Sequence, residues 1–164
     1  MSLDLTIRNR QRARAVDSRL LRRIITTFLT ELLHTKRAEL GITLVAAPEM
    51  TRLNETFLKH EGSTDVITFN YLEPGTWSSV SGTALHGEIF ICVDEAMAQA
   101  RGLRTTWQSE IVRYMVHGTL HLLGYDDHRA SDRRQMKRQE NRLVRLLASR
   151  FPLSRLSAKT KLPR

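Results

Sequence analysis

The sequence predicts an α+β fold: a single compact domain with a central mixed sheet of about four strands packed with helices. Three observations lead there. Short segments of strand-like alternation interleave with longer segments of helical period, without a regular βαβ repeat. No internal repeat or low-complexity stretch breaks the pattern. The 164 residues, 41% of them hydrophobic, are one domain's worth of chain with enough apolar material for a core.

Residues 3–7, Leu-Asp-Leu-Thr-Ile, alternate as a first strand. From 17 to 34, Leu20, Leu21, Ile24, Ile25, Phe28, Leu29, Leu32 and Leu33 recur at helical spacing and leave an arginine-rich outer side. Residues 42–45 read as a second strand ended by Pro48, residues 51–57 as a short helix, and the chain to Ser63 as a polar loop. Residues 66–69 and 87–93 are the third and fourth strands, separated by a loop at 73–84 that holds Pro74, Gly75 and Gly82. Asp94 is the expected N-cap of a helix to Arg101. Thr105-x-x-Gln108 has capping-box form and opens a helix to about Leu123, which Gly124 stops. A last helix runs from about Ser131 to Arg150 and ends before Pro152. The expected organisation is therefore a domain over residues 1–151 followed by a basic tail, 152–164, on which little folded core depends.

The net charge of +9 is concentrated at the two ends. Residues 8–23 hold seven arginines against Asp17, and residues 129–164 hold twelve cations against Asp132 and Glu140. The middle, 24–128, has seven cations and thirteen carboxylates. Packed together, the ends would form a broad basic face suited to a phosphate backbone. Cys92 is the single cysteine, so no intrachain disulfide can form. The arginines of the first thirty residues interrupt any secretory signal, and no eighteen-residue apolar run occurs. A cytoplasmic protein that does not span a membrane is expected.

The chemistry concentrates at 116–128, Val-His-Gly-Thr-Leu-His-Leu-Leu-Gly-Tyr-Asp-Asp-His. His117 and His121, four apart on a helix, stand on one face a turn apart, where two imidazoles can reach one metal ion. Gly124 permits a left-handed residue that turns the chain back, so that a third ligand can come from 126–128. Two imidazoles with a carboxylate or third imidazole suit zinc, though nickel and other borderline ions share these ligands. The spacing is also that of zinc endopeptidases, but those need a glutamate directly after the first histidine, and Gly118 stands there.

The stretch 117–126 resembles the signature of the YbeY-type endoribonucleases, metal-dependent proteins of bacterial rRNA maturation. Two further blocks resemble that family: Leu53-Asn54 followed by Thr64-Asp65-Val66-Ile67-Thr68-Phe69, and Gly87-Glu88-Ile89-Phe90-Ile91. The resemblance implies a compact α+β domain with a metal site at the end of a helix, holding one zinc ion per chain. It implies a single-strand-specific endoribonuclease acting on ribosomal RNA at the 3′ end of the small-subunit rRNA, with a part in ribosome quality control. Its partners are then ribosomal RNA and the small ribosomal subunit, with no small-molecule cofactor. The family's third histidine lies ten residues after the first, where this chain has Asp127, and His128 is one further on. Met136, nine residues beyond Asp127 as in the family, keeps an ungapped register and favours Asp127 as third ligand; His128 serves if the loop shifts by one residue. Leu58 replaces the arginine that many members carry after the aromatic here, Phe57, and neither Lys59 nor His60 matches that position.

The remaining candidates are weaker signals. His86 could approach the metal or be an ordinary surface or core histidine, and His34 suits a helix C-terminus. Trp77 and Tyr71 could stack on bases or simply pack. Cys92 reads as a small buried hydrophobe. With no motif glutamate, the general base is left open among metal hydroxide, an outer residue and the RNA 2′-OH. The rival readings are an RNA-binding assembly protein with a structural zinc and a zinc peptidase of unusual base chemistry.

Overall fold

The computed structural model describes residues 2–72 and 84–158. Four strands, β1 (Ser2–Asn9), β2 (Arg37–Val45), β3 (Val66–Asn70) and β4 (Ala84–Cys92), form one mixed sheet in the order β1-β2-β4-β3. β1 runs parallel to β2 and β2 to β4, bringing Ile7, Ile42 and Ile89 side by side, whereas β3 lies antiparallel to β4 with Thr68 opposite Ile89. Five α-helices accompany them: α1 (Ser18–Thr27), α2 (Ala47–Leu53), α3 (Val93–Leu103), α4 (Trp107–Leu122) and α5 (Ala130–Arg150). This is the expected α+β architecture.

Alternation along the strands divides the core in two. Leu40, Ile42 and Leu44 of β2 and Leu85, Ile89 and Ile91 of β4 share the face that buries against α1 and α4, and α5 packs on α4. On the reverse face, Val45, Met50, Ile67 and Cys92 make a smaller cluster under α2. Cys92 is a free, buried thiol, as its apolar setting in the sequence predicts. α1 follows its sequence pattern closely: Leu20, Leu21, Ile24 and Ile25 are buried. The Asp17 carboxylate accepts the N–H groups of Arg19 and Leu20, each at 3.1 Å. A wider π-type turn, Phe28–Leu32, prolongs it toward His34, whose φ of 51° ends the run.

Local caps differ from the sequence expectation where a neighbour competes. Asp94 does not cap α3, which starts at Val93 after Cys92; its Oδ2 instead accepts the Ala47 N–H at 2.6 Å and caps α2. Pro48 accordingly sits in the first turn of α2, where its missing N–H does no harm. In α4 the cap is Thr106, accepting from Ser109 N–H at 3.2 Å, while Thr105 Oγ1 donates to the buried Glu110 at 2.7 Å.

The sequence predicts a loose tail from residue 152, but Leu153–Leu156 form a short 3₁₀ turn whose Leu153 and Leu156 are buried in the main core. Asp17 N–H donates to Leu156 O at 2.8 Å and Ala158 N–H to Ala15 O at 3.1 Å, so the N- and C-terminal segments are paired. Two apolar side chains three apart gain enough by burial to hold a segment that its overall composition marks as polar. The basic residues Lys159, Lys161 and Arg164 lie outside the described residues, as do positions 73–83 of the expected loop, Trp77 among them. Among the described residues no helix is long and apolar enough to cross a membrane.

Candidate metal centre

α4 is the helix that positions the site, and two glycines let it lie close on the sheet. A Cβ on Gly118 would stand 3.0 Å from Ile89 Cγ2 and 3.1 Å from Thr68 Cγ2, and one on Gly87 would stand 2.9 Å from Leu122. Position 118 therefore faces the sheet, with no room for the glutamate of a zinc endopeptidase. With that face against β3 and β4, the half-buried His117 and His121 leave the helix on another side, one turn apart.

The helix then ends in a complete Schellman turn. Gly124, at φ 99°, donates to His121 O at 3.0 Å, and Tyr125 N–H reaches back to Leu120 O at 3.0 Å. The chain reverses, and the Asp126 carboxylate fixes the next loop by accepting the N–H groups of Asp127 at 2.7 Å and His128 at 3.2 Å. This turn aims the Asp127 side chain back at the helix. Asp127 Oδ2 lies 3.4 Å from His121 Nε2 and 3.9 Å from His117 Nε2, and the two Nε2 atoms are 3.0 Å apart. The edges of a tetrahedron around an ion with ligand distances of about 2.0–2.1 Å are roughly 3.3 Å long, so this triangle fits one face of a zinc-sized site.

A further carboxylate supports the triangle from α5. Glu140, only 5% exposed, places Oε2 3.6 Å from His117 Nδ1 and accepts from Arg113 Nη1 through Oε1 at 3.1 Å. Glu140 raises the pKa of the His117 imidazole against the opposing effect of burial. Burial alone would raise Glu140, but His117, Lys137 and Arg113 together hold its carboxyl below the ordinary range. A carboxylate on the outer nitrogen of a histidine fixes the ring and leaves its other nitrogen to an ion. Sequence reasoning missed both Glu140 and Arg113. The available signal was a carboxylate on the apolar stripe of α5, between Met136 and Leu143.

Beside the triangle opens a cavity of about 300 Å³, lined among others by Asp65, Tyr114, Met136, Arg113, Arg133 and Lys137. Among the described residues, Tyr114 has the one buried side-chain polar atom without a hydrogen-bond partner, and desolvation raises its phenol pKa.

The sequence matches the Endoribonuclease YbeY family over residues 6–148. The chain belongs to this family. Relatives named Endoribonuclease YbeY include those of Salinibacter ruber, 32% identical over 85% of this chain and 89% of the relative, and Chlorobium luteolum, 32% identical over 88% and 98%. That of Anaeromyxobacter dehalogenans is 37% identical over 88% of this chain and 71% of the relative. The solution structure of TM1509 from Thermotoga maritima superposes with a TM-score of 0.65 at 23% identity, covering 98% of this chain and 99% of that one, and shares the fold.

Within this member of the YbeY family, the structure gathers His117, His121 and Asp127 into one donor group, while His128 groups with Asp126 and Asp127 on the exposed loop and not with the two helix histidines. The His128 ring is 87% exposed and turns to Asp126, 3.4 Å away. His86 pairs with Glu39 at 3.3 Å on the sheet's reverse face, and the exposed Tyr71 donates to Glu88 at 2.9 Å. Leu58 and Phe57 are exposed, Lys59 takes a left-handed φ of 54°, and none of these with His60 joins the donor cluster.

Proposed function

We propose that the protein is a zinc-dependent, single-strand-specific endoribonuclease that matures the 3′ end of small-subunit ribosomal RNA in the cytoplasm and takes part in ribosome quality control. The observation that carries this reading is the convergence of one donor atom each from His117, His121 and Asp127 beside an open cavity, in a chain of the YbeY family. These three residues would hold the ion. The open cavity beside this cluster, lined by His117 and Asp127, favours a catalytic over a structural zinc.

Held by His117, His121 and Asp127, a zinc ion would supply Lewis-acid chemistry: polarisation of a phosphate oxygen and a lowered pKa for water. The chain's own residues supply orientation. Arg113 holds Glu140, Glu140 holds the outer face of His117, and the Asp126 turn holds Asp127. Arg133 and Lys137, on the cavity wall, are placed to bind the phosphates flanking the cleaved bond. Peptidase chemistry is disfavoured because position 118 is sealed against the sheet. The test is metal analysis of the purified protein together with cleavage of small-subunit rRNA, with and without chelator. About one zinc per chain and cleavage that chelator removes and zinc restores are expected; chelator-insensitive cleavage overturns the reading.

A further inference from the structure

We infer that the outward face of α5 is a track for the RNA backbone, carrying the strand away from the cleavage site toward the paired termini. The inference rests on the endoribonuclease reading and names how that site holds its substrate.

α5 begins three residues after Asp127 and runs 21 residues, about 30 Å at 1.5 Å per residue. Its inner stripe is Met136, Glu140, Leu143, Val144 and Leu147. At about 100° per residue, Arg134, Arg138, Arg142 and Arg145 fall within an arc of roughly 80° on the opposite side. All four are exposed. Among the described residues Arg134, Arg138 and Arg145 have no carboxylate partner, and Arg142 donates only to the neutral Gln139 at 2.9 Å. The helix has two carboxylates of its own: Asp132 is partly buried in the first turn, and Glu140 points inward and is engaged by Arg113 and His117.

Further cations lie near both ends of α5, although Arg150 in its last turn is paired with Glu31. Lys137, on the flank between the row and the core, and Arg133, in the first turn, line the cavity that His117 and Asp127 also line. Arg133 also donates to His128 O at 2.9 Å, so the 126–128 loop is tied to the first turn of α5. At the far end the Arg23 guanidinium stands 5.7 Å over the Phe151 ring, which adjoins α5, and exposed Arg19 and Arg155 follow. Like charges at i and i+4, as in Arg134/Arg138, Arg138/Arg142 and Arg133/Lys137, disfavour a helix on its own. A solvated face with mixed charges would avoid that repulsion, whereas a polyanion laid along the row relieves it. Contacts from such a row go to phosphates, which carry no sequence information, so the track binds without reading sequence.

The test compares the full-length protein with the variant R134Q/R138Q/R142Q/R145Q, glutamine being a helix former comparable to arginine. Affinity for an unstructured RNA long enough to span α5 is measured against salt. The slope of log affinity on log salt is expected to fall by about 0.7 for each phosphate no longer neutralised, roughly two to three units in all. The lysine version of the same four changes should keep the slope, because the charge and not the guanidinium plane is used. The glutamine variant should raise KM for the long RNA at least tenfold, with kcat and zinc content unchanged. KM for a short oligonucleotide that ends at the cleaved bond should not move. An unchanged salt slope overturns the track, whatever acidic protein the face also binds, and so does an equal change for long and short RNA. If the unaltered protein cleaves neither RNA, the endoribonuclease reading fails, while the salt slope still decides the track.

Discussion

α4 and α5 are consecutive helices that share a core, and they divide the labour of the site by how they meet water. α4 buries ten of its 16 residues between the sheet and α5, and it carries both histidines. α5 buries five of 21, and its arginines face outward. A metal site needs donor atoms fixed to a few tenths of an ångström, which a backbone clamped on two sides supplies. A phosphate track tolerates displacement, because charge acts over several ångströms, up to a Debye length of about 8 Å at physiological salt. On the proposed function, precision and tolerance fall to different helices, with Glu140 as the link between them.

The largest effects should come from the clamped helix. His117→Ala and His121→Ala are each expected to abolish zinc binding, exceeding the roughly 10–100-fold weakening typical of an outer partner. Native mass spectrometry reads this directly. Both variants should keep the salt-dependent RNA affinity, since the cations lie elsewhere; loss of both properties together would break the division between the helices. Next comes the close approach itself. Gly118→Leu forces side-chain atoms into Ile89 and Thr68 and should destabilise by about 1–3 kcal/mol or more in denaturant melts. Arg138→Leu, on the outward face of α5, should stay within about 0.5 kcal/mol. Equal effects would mean that α4 is not the more tightly held helix.

The link is the third point of attack. Glu140→Gln keeps the shape of the side chain and removes the charge that faces His117 Nδ1 and Arg113. Zinc affinity, measured by competition with a chelating dye, should fall about 10–100-fold without loss of fold. Unchanged affinity would reduce Glu140 to a partner of Arg113 alone.

What could be read from the sequence follows the same physical divide. His117, His121, Gly124 and Asp127 lie within eleven residues, and helical period plus one left-handed glycine suffice to bring them together. The strands and α1 were legible because burial imposes a period on them. Glu140 was not, because its partners His117 and Arg113 are distant in sequence and its neighbours are cations that make a carboxylate look like surface. Asp94 went astray for a related reason: a local cap pattern cannot show that Ala47 offers an N–H from another element. In residues 153–156, Leu153 and Leu156 are hidden among polar residues, and the backbone pairing with Ala15 and Asp17 that makes them core is invisible until the termini meet. Leu156→Ala should accordingly destabilise by about 2–5 kcal/mol, where a frayed tail would show nothing.

The smallest expected effect, that of His128→Ala, decides the third ligand when set against Asp127→Ala. Asp127 and His128 are adjacent, and the Asp126 carboxylate accepts both of their N–H groups. Asp127 Oδ2 reaches the two imidazoles, while the His128 ring lies in solvent beside Asp126. Asp127→Ala should therefore weaken zinc binding severely, since two ligands rarely hold an ion that three were built to hold. His128→Ala should change it by less than the roughly tenfold effect of an outer partner. Asp127→His should retain zinc, because an imidazole at that place reaches the same corner of the triangle with a ligand the ion accepts equally well. The comparison is sharp because both substitutions to alanine remove a possible zinc ligand from the same loop, leaving position relative to α4 as the variable. Loss of zinc in His128→Ala with retention in Asp127→Ala would mean that the loop slips by one residue when the ion binds.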